Sequence, residues 1–209
     1  RMSKSLLRKS IRDSLRLVSQ PDLHHQSQNI LDRLKTLNLT DVSKIALYLN
    51  FDHSEVKTDS IIKHLFLQNK RVFLPKVVDI QPDEKRYDEQ KFKLEFYELN
   101  SYQEIADLKP QGKFKIREPH SGTNIMNVDN GFDMIVLPGL AFTKNCYRMG
   151  HGAGLYDDFI KRHNSKFNEA PYLLGIGLQE QLVDSLPLEK HDEKLDGIII
   201  NSEFYGNEL

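Results

Sequence analysis

Apolar positions in this chain follow two alternating rhythms. One is helical spacing, which puts Leu7, Ile11, Leu15 and Val18 on one side of the first segment. A second helical pattern runs from about Pro21, with proline in its first turn, through Leu23, Ile30, Leu31 and Leu34 to Leu37. The other rhythm is the short apolar run of a buried strand, first met at 44–49 (KIALYL). Thr58-Asp59-Ser60 then opens a helix carrying Ile61, Ile62, Leu65 and Phe66 on one face, and 71–75 is a strand expected to stop at Pro75. Residues 78–90 are charged and aperiodic, which predicts a surface loop, and Phe92, Leu94, Phe96 and Tyr97 predict another strand. The stretch 100–131 is rich in turn residues and hard to place. Beyond it come a strand at 134–137, a helix at 155–163, a strand at 172–176, a short helix at 180–186 and a final strand at 197–200.

Strands alternating with helices predict an α/β fold: a single-domain three-layer α/β/α arrangement, residues 1–209, around a mostly parallel, Rossmann-like sheet. No repeat or linker divides it. Ligands of such sheets sit beyond the carboxyl ends of the strands. That directs the search for chemistry to 49–55, 138–157 and 188–196.

Composition narrows the classes. The chain has 209 residues, 39% hydrophobic and 28% charged, a soluble globular balance. Its formal net charge of −1 gives no general attraction for nucleic acid or anionic membrane, and no run reaches the ~20 apolar residues that span a bilayer. A monomer in the cytoplasm is expected, with a mitochondrial location as the alternative. The one cysteine, Cys146, excludes an internal disulfide and a cysteine-based zinc site; it reads as a nucleophile or as a bystander thiol. Arg1 ahead of Met2 reads as a cloning remnant before the initiator. Lys4, Arg8, Lys9, Arg12 and Arg16 crowd the first 18 residues against a single acid, Asp13. Three readings stay open there: a transit peptide, an amphipathic helix with a functional basic stripe, or a solvated face.

The densest chemistry lies at 132–158. An apolar strand breaks at Pro138-Gly139 and leads to Arg148-Met149-Gly150-His151-Gly152-Ala153-Gly154-Leu155-Tyr156-Asp157-Asp158. Glycines at every second position let backbone N–H groups turn toward an anion, and the helix that follows adds dipole charge of the right sign. An ordinary flexible loop is the bland alternative. The spacing matches neither the Walker loop nor the dinucleotide fingerprint.

These residues resemble the 5-formyltetrahydrofolate cyclo-ligase family, also called 5,10-methenyltetrahydrofolate synthetases. The pattern reads here as Pro138-Gly139-Leu140-Ala141-Phe142 and then Arg148 to Asp157, with His151 where the family usually has a second basic residue and Leu155-Tyr156 where it usually has two aromatics. The N-terminal basic helix, the segment 49–75 and the turn at 191–196 add to the likeness. The resemblance implies ATP- and Mg²⁺-dependent closure of 5-formyltetrahydrofolate, with or without polyglutamate, to 5,10-methenyltetrahydrofolate, releasing ADP and phosphate. It implies Arg148 as the catalytic cation and Lys4, Arg8, Arg148, Met149, Gly150, His151, Gly152, Ala153, Gly154, Leu155 and Tyr156 around ATP. It also implies Asp157 and Asp192 for Mg²⁺, and Leu49, Glu55 and Tyr156 at the folate. Tyr156 could border either ligand.

Blander readings stand beside these. Glu55 also reads as a helix-start acid, Phe142 equally as core, Asp158 as a helix-start charge and Asp196 as a surface or capping residue. His53, His120 and His191 share no metal spacing and read as surface or loop residues. Competing functions are another ATP- or sugar-phosphate-using enzyme on a related fold, or a nucleotide- or folate-binding homologue without activity. An RNA-binding role for the first helix has the least support, since no aromatic-basic motif accompanies it.

Overall fold

The computed structural model describes residues 2–51, 54–190 and 192–209. Arg1, His53 and His191 therefore lie outside the described residues. In chain order the helices are α1 (Lys4–Arg16), α2 (Gln20–Leu34), α3 (Asp59–Leu67), α4 (Glu104–Asp107) and α5 (Leu155–Phe167). The strands are β1 (Lys44–Ala46), β2 (Arg71–Asp79), β3 (Phe92–Glu98), β4 (Pro110–Gln111), β5 (Ile116–Arg117), β6 (Met134–Leu137), β7 (Ala141–Phe142), β8 (Arg148–Met149), β9 (Tyr172–Gly177), β10 (Gly197–Ile200) and β11 (Glu203–Gly206).

Seven strands form one sheet in the order β11-β10-β9-β6-β1-β2-β3, while β4-β5 and β7-β8 are separate two-stranded ribbons. The five central strands pair in parallel; β3 and β11 run antiparallel along the two edges. Alternation of side chains sends Ile45, Val72, Met134, Val136 and Leu174 to one face, against Ile11, Leu23, Ile30 and Ile62 of α1, α2 and α3. Ala46, Phe73, Ile135, Leu137 and Ile198 face the other way, against Phe159 and Ile160 of α5 and Ile125. This is the three-layer α/β/α sheet that the apolar runs predict: strands buried on both faces lose polar alternation.

Serines start the first two helices. Ser3 Oγ accepts from Leu6 N, and Ser19 Oγ accepts from Asp22 N with Pro21 in the first turn. Among the described residues no helix is long and apolar enough to cross a membrane.

Four expectations need correction. The apolar run at 44–49 is strand only over Lys44–Ala46. The strand at 71–75 does not stop at Pro75 but continues to Asp79. Val72 O accepts from Leu99 N, so bonded pairs with β3 fall on residues 72 and 74, and the Pro75 nitrogen faces the opposite side. On that side β1 has already ended, so no ladder bond is lost. The helix expected at 180–186 is only a 3₁₀ turn at Gln179–Gln181. The strand at 197–200 is not the last: the chain turns at Asn201 (φ 53°) and returns as β11.

The connections place the site. The chain passes from β1 outward to β2 on one side, and from β6 outward to β9 and β10 on the other. Between β1 and β6 lies the switch point at which open α/β sheets hold ligands. Tyr48 and Leu49 leave β1 there, and Pro138 leaves β6 beside them.

Candidate active site

A cavity of about 360 Å³ opens at this point, lined by all of Arg148 to Asp157, by Lys4 and Arg8 of α1, and by residues 186–189 and Asp192. The glycine loop is held from α1. Arg8 Nε donates to Gly150 O at 3.0 Å, Arg12 Nη2 donates to His151 O at 3.4 Å, and Lys4 Nζ meets Asp192 Oδ2 at 3.3 Å and Glu189 Oε1 at 3.6 Å. Residues four apart share a helix face, so Lys4 and Arg8 line the cavity while Arg12, one turn on, reaches the loop backbone outside it. Arg16 instead pairs with Asp13 at 3.4 Å. Gly154 caps α5 at φ 68° with no side chain of its own on the first-turn amides, and Gly152 sits at φ 117° with the Arg8 guanidinium 3.7 Å from where its Cβ would stand. A side chain at either position would be strained by the positive φ.

The β7–β8 ribbon delivers Arg148, with Phe142 opposite Arg148 in its register. Arg148 Nε donates to Pro138 O at 2.6 Å, its Nη1 stands 3.5 Å from Asp157 Oδ1, and its guanidinium lies 5.6 Å from the centre of the Tyr156 ring. Its side chain is only 8% exposed. Burial lowers the Arg148 pKa, against the opposing influence of Asp157, Tyr156, Tyr48 and Asp192. The result is a desolvated cation that one carboxylate at 3.5 Å only partly balances. An incoming anion would meet it at low dielectric, where charge-assisted bonds are strongest.

Asp192 reaches the same cavity because its turn is fastened: Leu195 N donates to Cys146 O at 2.9 Å, and Tyr147 and Lys194 bridge. Asp192 Oδ2 also accepts from Glu189 N at 2.8 Å. Among the described residues no group of three or more His, Cys, Asp or Glu gathers as a self-contained metal cage. Asp157 and Asp192 fit Mg²⁺ nonetheless, which takes one or two carboxylates and completes its shell with phosphate oxygens and water.

A second cavity, about 560 Å³, adjoins the first. Tyr48, Leu49, Phe51, Glu55, Pro75, Val77, Tyr87, Glu89, Lys91, Phe92, Leu94, Phe114 and Ile116 line it, together with Pro138, His151, Ala153, Leu155 and Tyr156. Those last five residues line both cavities, so the glycine loop is a shared wall. Glu55 spans the junction: its Oε2 accepts from Phe51 N at 2.5 Å and its Oε1 lies 3.7 Å from His151 Nε2. Burial raises the Tyr48 and Tyr156 pKa values, with Glu55 pushing the same way, so both phenols stay neutral donors.

The structure thus gathers every expected site residue around one of the two cavities. Two of the open readings resolve as structural. Phe142 is fully buried, with its ring where Cβ atoms at Gly139, Gly175 and Gly177 would stand, so it is core. Cys146 is buried with Sγ 3.5 Å from Tyr205 O, and burial pushes its thiol pKa up, away from thiolate chemistry. Asp158 is more than a helix-start charge: it is buried beneath Arg162 Nε at 3.0 Å and Arg86 Nε at 3.6 Å. Asp196 Oδ2 accepts from Leu173 N at 2.8 Å, capping the start of β9. His120 is exposed on its loop.

Sequence reasoning missed Gln181, a buried side chain whose Nε2 donates to Gly139 O at 2.7 Å and Leu140 O at 3.2 Å, clamping the Pro-Gly break. It also missed the aromatic wall at Phe92 and Phe114. A strand, a glycine loop and a helix at a switch point define an α/β protein with a cation-lined cavity beside a larger, apolar one.

Known proteins agree with that outline. The profile of the 5-formyltetrahydrofolate cyclo-ligase family matches residues 1–201. A 5-formyltetrahydrofolate cyclo-ligase of Saccharomyces cerevisiae is 34% identical over 202 residues, covering 94% of each chain. One from Mus musculus is 32% identical over 92% of this chain and 91% of its own. The NMR structure of Aquifex aeolicus 5,10-methenyltetrahydrofolate synthetase superposes with a TM-score of 0.74 at 25% identity, covering 100% of this chain and 96% of that one. The chain belongs to the 5-formyltetrahydrofolate cyclo-ligase family of enzymes.

Proposed function

We propose that this chain uses ATP and Mg²⁺ to close 5-formyltetrahydrofolate to 5,10-methenyltetrahydrofolate, releasing ADP and phosphate. The observation that carries the reading is the shared wall: a cation-lined cavity and an apolar one meet at Pro138, His151, Ala153, Leu155 and Tyr156. A reaction that joins a nucleotide phosphate to an oxygen on a heteroaromatic substrate needs that junction. The apolar, aromatic lining of the second cavity favours a folate over a phosphorylated sugar.

In the reaction the formyl oxygen attacks the γ-phosphorus, and an O–P bond forms as the bond to ADP breaks. N10 then adds to the activated carbon and loses its proton, and the C–O bond breaks with phosphate carrying the formyl oxygen away. Positioning and charge neutralisation are what such a step asks of a protein. The loop amides from Gly150 to Gly154 and the first turn of α5 cradle the triphosphate, and Lys4 and Arg8 meet its charge from α1. Arg148, desolvated and fixed to Pro138 O, holds the transferring group. Asp157 and Asp192 would hold Mg²⁺, which neutralises phosphate charge when bound. Glu55 accepts paired hydrogen bonds from the donor edge of the pterin, with Leu49 and Tyr156 against the ring. Because Lys4 and Arg8 lie on α1, that helix belongs to the working protein, whether cytoplasmic or mitochondrial, and nothing in the scheme needs a second copy of the chain.

The test is direct. Purified protein with 5-formyltetrahydrofolate, ATP and Mg²⁺ should form the methenyl product, followed by its absorbance. No ATP-dependent product at saturating substrates would sink the proposal, whereas product without nucleotide would transfer the chemistry to another co-substrate.

A further inference from the structure

Gln181 is only 4% exposed and lines neither principal cavity, yet its side-chain amide is fully bonded. It closes the 3₁₀ turn Gln179–Gln181 that follows β9. That turn is anchored to α2: Gln179 N donates to Gln26 Oε1 and Gln26 Nε2 donates to Glu180 Oε1, each at 2.8 Å. From this base the Gln181 side chain reaches the break after β6. Its Nε2 donates to Gly139 O at 2.7 Å and to Leu140 O at 3.2 Å, and its Oε1 accepts from Leu178 N at 2.9 Å. One donor and two acceptors surround the amide, so a single orientation satisfies all three. Val183 N donates to Phe142 O at 2.8 Å, which extends the brace into the β7–β8 ribbon.

The reason the break needs a brace is Gly139. A Cβ there would stand 2.5 Å from Phe142 Cζ, so the position takes no larger residue. Glycine is also the residue whose φ and ψ are least restricted. The carbonyl ahead of it, Pro138 O, is the one that receives Arg148 Nε at 2.6 Å. Rotation about the Gly139 backbone bonds would swing Pro138 O and carry the guanidinium with it. Gln181 holds both peptide groups that follow Gly139 and so confines that rotation. We propose that Gln181 is a positioning residue for Arg148: it keeps the guanidinium aimed at the transferring phosphoryl group without itself touching substrate. The proposal rests on the phosphoryl-transfer role of Arg148.

Steady-state kinetics of methenyl formation test it on two variants. Gln181→Met keeps the length and loses the amide, whereas Gln181→Asn keeps an amide one methylene too short to span all three groups. Turnover is counted per folded molecule, from the binding stoichiometry of a non-hydrolysable ATP analogue. Each variant should lower kcat by about tenfold or more while the KM for 5-formyltetrahydrofolate stays within about twofold, since a displaced reacting group costs rate rather than binding. The decisive readout is coupling. In an Arg148→Ala background either substitution should change kcat by less than about twofold, because the group it positions is gone. The same fold-loss in both backgrounds overturns the proposal, and so does a native kcat in both variants. Failure of both variants to fold also overturns it, by confining Gln181 to the stability of the chain. If Arg148→Ala alone leaves kcat unchanged, the role of Arg148 fails and this proposal with it, a result distinguishable from the others.

Discussion

At the residue scale the proposed chemistry turns on Arg148. Its guanidinium is buried, fastened to Pro138 O, and only partly neutralised by Asp157. Arg148→Ala should therefore lower kcat by about 10²–10³, the usual loss when one preorganised charge donor is removed. Lys161→Ala, on α5 but lining neither principal cavity, should leave kcat within about twofold; steady-state kinetics of methenyl formation checks both. Phe142 makes the opposite case. The sequence left it between core and site wall, and the ambiguity was physical: a phenylalanine just after a Pro-Gly break suits either. What decides it is at a distance, since Gly175 and Gly177 of β9 leave the space its ring fills. Phe142→Ala should cost about 3–5 kcal/mol of unfolding free energy, as expected for an emptied aromatic site in a core, with the KM of the remaining folded enzyme unchanged. Denaturant unfolding and kinetics on one preparation separate the two effects.

At the element scale, legibility tracked how local the cause was. Helices α1 and α2 announced themselves through periodicity and, for α2, through the proline in its first turn, causes that lie within a few residues. The continuation of β2 past Pro75 did not, because it depends on which neighbour borders residue 75, and that is set by where β1 ends. The aromatic end of the second cavity was likewise hidden: Phe92 and Phe114 lie 22 positions apart, and only tertiary pairing brings their rings to 5.1 Å. The glycine loop was readable because its strand, turn and helix are consecutive. The docking of α5 adds a prediction. His163 is fully buried, accepts from Phe132 N through Nε2 at 2.9 Å, and stacks on Phe132 at 5.7 Å between ring centres. Burial lowers its pKa below the ordinary 6.5. The unfolded chain therefore binds this proton more readily than the folded one, so stability is full above about pH 6.5 and falls as pH drops below it. His163→Gln keeps an acceptor for Phe132 N but cannot titrate. Denaturant unfolding at pH 7.5 and 5.5 should show a smaller drop for the variant than for the native chain; equal drops would remove His163 from the pH response.

At the scale of the whole molecule, the sheet divides its work at the switch point between β1 and β6. The β1–β2–β3 side supplies the apolar cavity, and the β6–β9–β10 side supplies the glycine loop and the turn carrying Asp192. The cavity proposed for the nucleotide also draws Lys4 and Arg8 from α1, so a ligand there would bridge the first helix, the centre of the chain and its last quarter. Such a ligand binds only the folded arrangement, and its affinity is added to the stability of the fold as a whole. A non-hydrolysable ATP analogue at 100 times its Kd should raise the unfolding free energy by about 2.7 kcal/mol. The carboxylates decide how much of that needs Mg²⁺. Asp192 is held by Lys4 at 3.3 Å and Asp157 by Arg148 at 3.5 Å, so without the metal both acids face the phosphates while competing for their cations. Chelating Mg²⁺ should therefore weaken binding of the analogue to the native chain and reduce the stabilisation seen at a fixed analogue concentration. In an Asp157→Ala/Asp192→Ala chain the analogue should bind about equally with and without Mg²⁺, because the acids that both repel phosphate and recruit the metal are gone. Calorimetric titration in the two conditions measures this, and a metal dependence that persists undiminished in the double variant would place Mg²⁺ on other ligands.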